Sequence, residues 1–414
     1  MKVPGARSKA LFPALRAFES RNVTLLNDDF PVFWESAAGA TVFDVDGNRY
    51  TDLSSAFGVA GTGHSNPRVA AAIATQAHRL MHAMGDVHPT EVKAQFLEKL
   101  ATLAPGTGNK VFLASTGSEA VEAALKTAIL ATGRSVFVAF EGAYHGLSLG
   151  ALAVCGIEKF REPFRDFLPP GTIFLPYPQR REEIERMRTL LRSRRDIAAV
   201  IAEPIQGRGG CRVPPRGYLG ELRAACEAAG VLLILDEIYT GFGRTGYLFA
   251  AEFEGVEPDI LCVGKALANG FPVSAIVART SVMDAWPMSQ GEALHTSTSL
   301  GNPMGCAAAL ATIDEIERLQ LPQRARALGR QLGPRLERLR ENPQIRDVRG
   351  RGLMWGIELH DAAAAERAVK KALRRGVILL PSGPLGNVLS ITPPLIIEPD
   401  DLFSAITIVQ ECIE

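Results

Sequence analysis

The sequence is poor in the features that would place it in several large classes. Its six cysteines, at 155, 211, 226, 262, 306 and 412, include no CxxC pair. A zinc site or disulfide scaffold is therefore not indicated, and a reducing compartment is expected. Lys plus Arg and Asp plus Glu both number 45 in 414 residues, for a formal net charge of zero. With neither sign in excess, neither nucleic acid nor a membrane surface is indicated as partner. The short arginine runs, such as Arg192 to Arg195, alternate with Glu and Leu and read as solvated helix faces. No apolar stretch approaches the roughly 20 residues of a membrane span. No apolar h-region follows the basic residues near the N-terminus, so a cytoplasmic protein is expected. No G-x-G-x-x-G follows the first strand of a βαβ pattern, which counts against a nucleotide-binding dehydrogenase.

What the chain does contain is ordinary globular composition, 47% apolar and 22% charged, in a length that suggests two domains. The first 30 residues read as an amphipathic segment, with Leu11, Leu15 and Phe18 at helical spacing. Residues 40–53 alternate on both sides of Asp46-Gly47-Asn48, a hairpin signal. From about residue 110, short apolar runs alternate with helical patterns, as in a parallel sheet. Strands are expected at 110–113, 136–140, 198–202, 231–235, 260–263 and 273–278, with helices near 118–131, 183–193 and 216–229. After about 310 the pattern changes to an Arg-, Leu- and Glu-rich helical stretch over 311–340 and then a mixed region. The expected fold is α/β, a mainly parallel central sheet flanked by helices, plus a smaller α+β domain. The boundaries expected are an N-terminal segment 1–60 joining the small domain, a large domain 61–310 and a C-terminal small domain 311–414.

In open α/β sheets ligands lie beyond the carboxyl ends of the strands, so the residues there carry the chemistry. Val231 to Leu235 reads as a strand buried on both faces, and it runs into Asp236-Glu237. Two carboxylates after such a run are costly unless a cation meets them. Ile260 to Val263 leads likewise to Gly264-Lys265. After residues 110–113, Ser115-Thr116-Gly117-Ser118 opens onto a helix, a ready phosphate cradle. A plain N-cap by Thr116 or Ser118 is the competing explanation. Tyr144 follows 136–140, where it either covers a flat ligand or simply packs. Glu203 follows 198–202, as a site residue or an exposed cap. Together these residues suit a phosphorylated aromatic cofactor. Asp236 would keep its ring nitrogen protonated, and Lys265 would form a Schiff base and then act as acid and base. That describes pyridoxal 5′-phosphate.

The motifs Ser-Thr-Gly-Ser-Glu-Ala, Tyr-His-Gly, Glu-Pro-Ile-Gln-Gly, Leu-Asp-Glu-Ile-Tyr-Thr-Gly-Phe-Gly-Arg-Thr-Gly, Gly-Lys-Ala-Leu-Ala-Asn-Gly and Thr-Ser-Leu-Gly-Asn-Pro occur in that order. From about residue 40 to 400 the chain resembles the class III (ω-type) aminotransferases, fold-type I pyridoxal-phosphate enzymes. The resemblance implies Gly117 and Ser118 at the cofactor phosphate, Tyr144 on one ring face and Ile238 on the other. It implies Asp236 at the pyridine nitrogen, Lys265 as the covalent attachment and Glu203 near the ring hydroxyl. It places Thr298 at the phosphate of a neighbouring subunit's cofactor, hence a homodimer or a dimer of dimers. Where many members have glutamine this chain has Tyr239, whose phenol would serve the ring oxygen instead.

Three further departures concern the substrate. Ornithine-type relatives have arginine where this chain has Leu147 and Ser390, and glutamate where it has Arg208. A guanidinium is the usual holder of a carboxylate, so Arg208 is a candidate substrate-binding residue; a salt bridge to a nearby acid is the alternative. The function expected is transfer of an amino group between an amine or amino-acid donor and a keto or aldehyde acceptor. An amino-acid racemase, epimerase or aminomutase on the same scaffold is the alternative, since it would keep every cofactor residue.

Overall fold

The computed structural model describes residues 2–24 and 32–413. Its strands, in chain order, are β1 (Trp34–Ala38), β2 (Thr41–Asp44), β3 (Arg49–Asp52), β4 (Asn109–Ala114), β5 (Val136–Phe140), β6 (Thr172–Leu175), β7 (Ile197–Ala202) and β8 (Leu232–Asp236). They continue with β9 (Ile260–Val263), β10 (Ser274–Arg279), β11 (Ile345–Arg351), β12 (Met354–Leu359), β13 (Val377–Ile378), β14 (Leu380–Ser382) and β15 (Val388–Ile391).

The central sheet has the order β4-β10-β9-β8-β7-β5-β6. The pairs β6–β5, β5–β7, β7–β8 and β8–β9 are parallel, while β10 is antiparallel to both of its neighbours. Its middle strands are apolar on both faces because helices cover both, and all six residues of β7 are buried. Thus β4, β5, β7, β8 and β9 all end at one edge, where β10 begins. Helix Gly117–Thr132 starts there, capped by the Thr116 hydroxyl accepting from the Glu119 N–H at 3.2 Å, and ends at the left-handed Gly133.

Two smaller sheets flank this one. The hairpin expected around Asp46-Gly47-Asn48 is β2–β3, which continues into β1 on one side and β13 on the other. The second has the order β11-β12-β15-β14 and is antiparallel. Arg244 ties these parts together: its buried guanidinium donates to the Leu353 and Pro393 carbonyls and to the Ser55 hydroxyl.

Two expectations need correction, on β6 and on the end of β8, and two are made more definite. Thr172–Leu175 forms an unforeseen strand, β6. The pattern over 311–340 is two helices, Pro303–Arg318 and Leu321–Glu337, because Gln320 takes a left-handed φ of 49° and Pro322 begins a new first turn. Asp236 is the last residue of β8 rather than the first after it. The N-terminal periodicity does form helix Ala6–Phe18, whose apolar stripe is left largely uncovered by the other described residues, Phe18 being 91% exposed. The part of that predicted segment over 25–30 lies outside the described residues. No described helix is long and apolar enough to cross a membrane.

Beside Asp236, Glu237 is fully buried and serves the fold. Its carboxylate accepts the Ala250 N–H at 2.6 Å, the Ala251 N–H at 2.8 Å and the Thr240 hydroxyl at 2.8 Å. Burial pushes its pKa up to about 7 against these hydrogen bonds. Replacing Glu237 by Ala strands two buried N–H groups, at about 1–3 kcal/mol each. Chemical denaturation of the variant should show a midpoint well below that of the parent; an unchanged midpoint would contradict this role.

Candidate active site

At the end of β8 both carboxylate oxygens of Asp236 are engaged. One accepts the Ile238 N–H at 3.0 Å, and the other meets Nδ1 of the buried His145 at 2.7 Å. A carboxylate only accepts, so Nδ1 carries the hydrogen. The opposite ring nitrogen, Nε2, is buried with no hydrogen-bond partner. His145 follows Tyr144 in the loop after β5, which reaches β8 across the intervening β7. Within the quoted Tyr-His-Gly it carries no periodic or spacing signal, and its role appears only when the strand order is known.

Lys265 lies just past β9 in a left-handed conformation, φ 46°. For a residue with a Cβ this costs on the order of 1–3 kcal/mol, which the surrounding sheet must offset. Its amine sits 4.2 Å from the centroid of the Tyr239 ring, with no carboxylate at ion-pair distance among the described residues. Burial depresses the pKa of this amine, and the charges of Asp236 and Glu203 only partly oppose that. The Tyr239 ring is pinched between two glycines. A Cβ built on either Gly58 or Gly207 would come within 2.2 Å of it. Its hydroxyl shares a 3.2 Å hydrogen bond with Thr392.

Gly117 lies under Ile238, where a Cβ would stand 3.0 Å from Cδ1. As the first residues of their helix, Gly117 and Ser118 have N–H groups without helical acceptors. The Ser118 hydroxyl accepts the Leu147 N–H at 3.0 Å. Gly146, φ 121°, packs so closely on Ser118 that a Cβ would meet its Oγ at 2.0 Å. Glu203 holds the Tyr144 N–H at 3.0 Å with one oxygen and the Gly207 N–H at 2.9 Å with the other. Burial raises its pKa to about 7, His145 drawing it down and Asp236 pushing it up. The Tyr144 ring meets Phe160 edge-on at 5.8 Å.

Two predicted residues remain, Thr298 and Arg208. Thr298 lies exposed in the stretch between β10 and helix Pro303–Arg318. Arg208 donates to the Pro381 carbonyl at 3.2 Å and has no acid at ion-pair distance among the described residues, which removes the salt-bridge alternative. A cavity of about 820 Å³ beside β4 is lined by none of these residues. An uncommitted amine, a buried carboxylate steadied by a histidine and a glycine-rich helix start fit a phosphorylated heterocycle with an aldehyde and a ring nitrogen.

Comparison with known proteins agrees. The family model for class III aminotransferases matches residues 25–413. The chain belongs to that family. It is 39% identical over 382 residues to an acetylornithine aminotransferase of Methanosarcina mazei, covering 92% of this chain and 91% of the relative. It is 37% identical over 401 residues to a 5-aminovalerate aminotransferase of Pseudomonas putida, covering 92% and 93%. The fold resembles the ornithine aminotransferase of Toxoplasma gondii, described with pyridoxal phosphate at its active site, with a TM-score of 0.89 and 31% identity over 97% of this chain and 93% of that one. This aminotransferase is thus a fold-type I enzyme that uses pyridoxal 5′-phosphate, and these relatives support transamination rather than the isomerase alternative.

In this family member Gly146→Ala is expected to push Ser118 out of place and to strain a position of positive φ. The cofactor dissociation constant measured by fluorescence should rise at least about tenfold over the parent's, a loss on the order of 1.4 kcal/mol; equal affinity would show that the cradle is not formed here.

Proposed function

We propose that this aminotransferase works as a cytoplasmic homodimer, with Lys265 providing the Schiff-base attachment for its cofactor. The observation that carries the proposal is the convergence of an unpaired, partly buried amine at Lys265 and the His145-supported carboxylate of Asp236 on one sheet edge. Gly117 and Ser118 would hold the phosphate, Tyr144 and Ile238 would bound the ring, and Tyr239 would close the side next to Lys265. When bound, pyridoxal 5′-phosphate supplies an electrophilic carbon and a ring that takes up electrons released at the donor carbon.

The chain's own groups do the rest. Asp236 keeps a proton at the ring nitrogen, and His145 fixes the orientation of that carboxylate. Lys265, its pKa lowered by burial, takes the proton from the donor carbon and later returns it. Glu203 acts as a brace, since its two oxygens are spent on the Tyr144 and Gly207 N–H groups. The exposed position of Thr298 supports a role across a subunit interface. The acetylornithine and 5-aminovalerate of the relatives' names are amines that also carry a carboxylate, so donors of that kind, paired with keto-acid acceptors, are the proposed substrates.

In a single turnover the parent should convert its cofactor to the amine form with release of one equivalent of carbonyl product. Lys265→Ala should slow this by about 10²–10⁴, and sedimentation of the parent should give the mass of a dimer. Parental rates in the variant would remove Lys265 from the chemistry, and a monomer of full activity would remove Thr298 from the site.

A further inference from the structure

Two cations stand near Tyr144: Lys159, next to Phe160, and Arg208, which follows Gly207, whose N–H shares the Glu203 carboxylate with the Tyr144 N–H. Arg208 is fixed at both ends: its carbonyl accepts the Gly383 N–H at 2.9 Å, and its guanidinium donates to the Pro381 carbonyl at 3.2 Å. Among the described residues that carbonyl is the only hydrogen-bond partner of the guanidinium, which leaves most of its five N–H donors for something else. Lys159 lies in the turn Glu158–Arg161, its ammonium 5.2 Å from the centroid of Phe160, the ring that packs edge-on against Tyr144. Neither cation has a carboxylate at ion-pair distance among the described residues. Glu158, beside Lys159, is already paired with Arg161 and Arg165.

Lys159 is exposed, yet partial burial and the charge of Arg208 lower its pKa; burial raises the pKa of Tyr144, and the Arg208 charge only partly opposes that. An anion bound beside these two cations would be favoured by both charges. Ser390 offers no charge here, for it is buried and donates to the Ser382 hydroxyl at 2.6 Å, and the Glu203 carboxylate is spent on the Tyr144 and Gly207 N–H groups. Leu147, on the other side, is 47% exposed and apolar.

Resting on the aminotransferase reading, we propose that Arg208 and Lys159 together form the site for the substrate's carboxylate, so that the enzyme selects amino acids and oxo acids over plain amines. Arg208, rigid and forked, carries most of the recognition, and Lys159 adds charge without fixed geometry.

The test compares 5-aminovalerate with pentylamine, which has the same chain without the carboxylate, as donors to the holoenzyme. The parent should prefer 5-aminovalerate in kcat/KM. In Arg208→Gln, which can still donate to the Pro381 carbonyl, that preference should fall at least about tenfold, mainly through KM. Lys159→Gln should lower it less, and Arg208→Lys should retain part of it. Glutarate binding to the holoenzyme, measured by calorimetry, should weaken in the same order. An unchanged preference in Arg208→Gln, or glutarate bound equally by parent and variant, overturns the proposal. No turnover of either amine by the parent would count against the donors proposed above instead, and the glutarate measurement would still decide this site.

Discussion

A carboxylate at the end of a strand buried on both faces must find donors, and the arrangement around Asp236 follows from that requirement. The Ile238 N–H comes from its own turn, but the second donor, His145, must be brought from the loop after β5. Delivering His145 also delivers its neighbours. Tyr144 is held by Glu203 from the end of β7, and Gly146 lies on Ser118 at the start of helix Gly117–Thr132. One electrostatic demand thereby links the ends of β5, β7 and β8 to the helix start beside β4. The sheet supplies the rigidity, because its middle strands are packed on both faces.

Close approach and backbone strain are concentrated at the same edge. Lys265 takes a left-handed φ, and Ser55, Ala56 and Phe57 take φ of 48°, 47° and 65° in succession just before Gly58. This unusual turn brings Gly58 against the Tyr239 ring, which meets Gly207 on its other side and Lys265 across its face. Arg244 pins the turn through the Ser55 hydroxyl while bonding two carbonyls of the C-terminal region. Strain of this kind persists only where packing over-determines it, and here segments far apart in sequence combine to do so.

Much of this was legible in the sequence for a physical reason. Strands covered on both faces must be continuously apolar, so β7, β8 and β9 could be read directly, together with the polar residues that follow them. The fold class follows from that alternation. What could not be read were relations between segments. Thr172–Leu175 is only four residues long and follows Pro169-Pro170-Gly171, so it looks like loop. Nothing in Ser274–Arg279 itself says that it runs against its neighbours. His145 gained its role from strand order. Arg208 stood out because its charge was unexpected, whereas Lys159 became relevant only through its position next to Phe160 and Tyr144.

On the proposed reading, Lys265 is the amine presented to the cofactor at this edge. Borohydride reduction of the holoenzyme, followed by proteolysis and mass spectrometry, tests it most directly. One phosphopyridoxyl group per chain is expected, on the peptide that contains Lys265. A modified lysine elsewhere, or cofactor released unreduced after treatment, would contradict it.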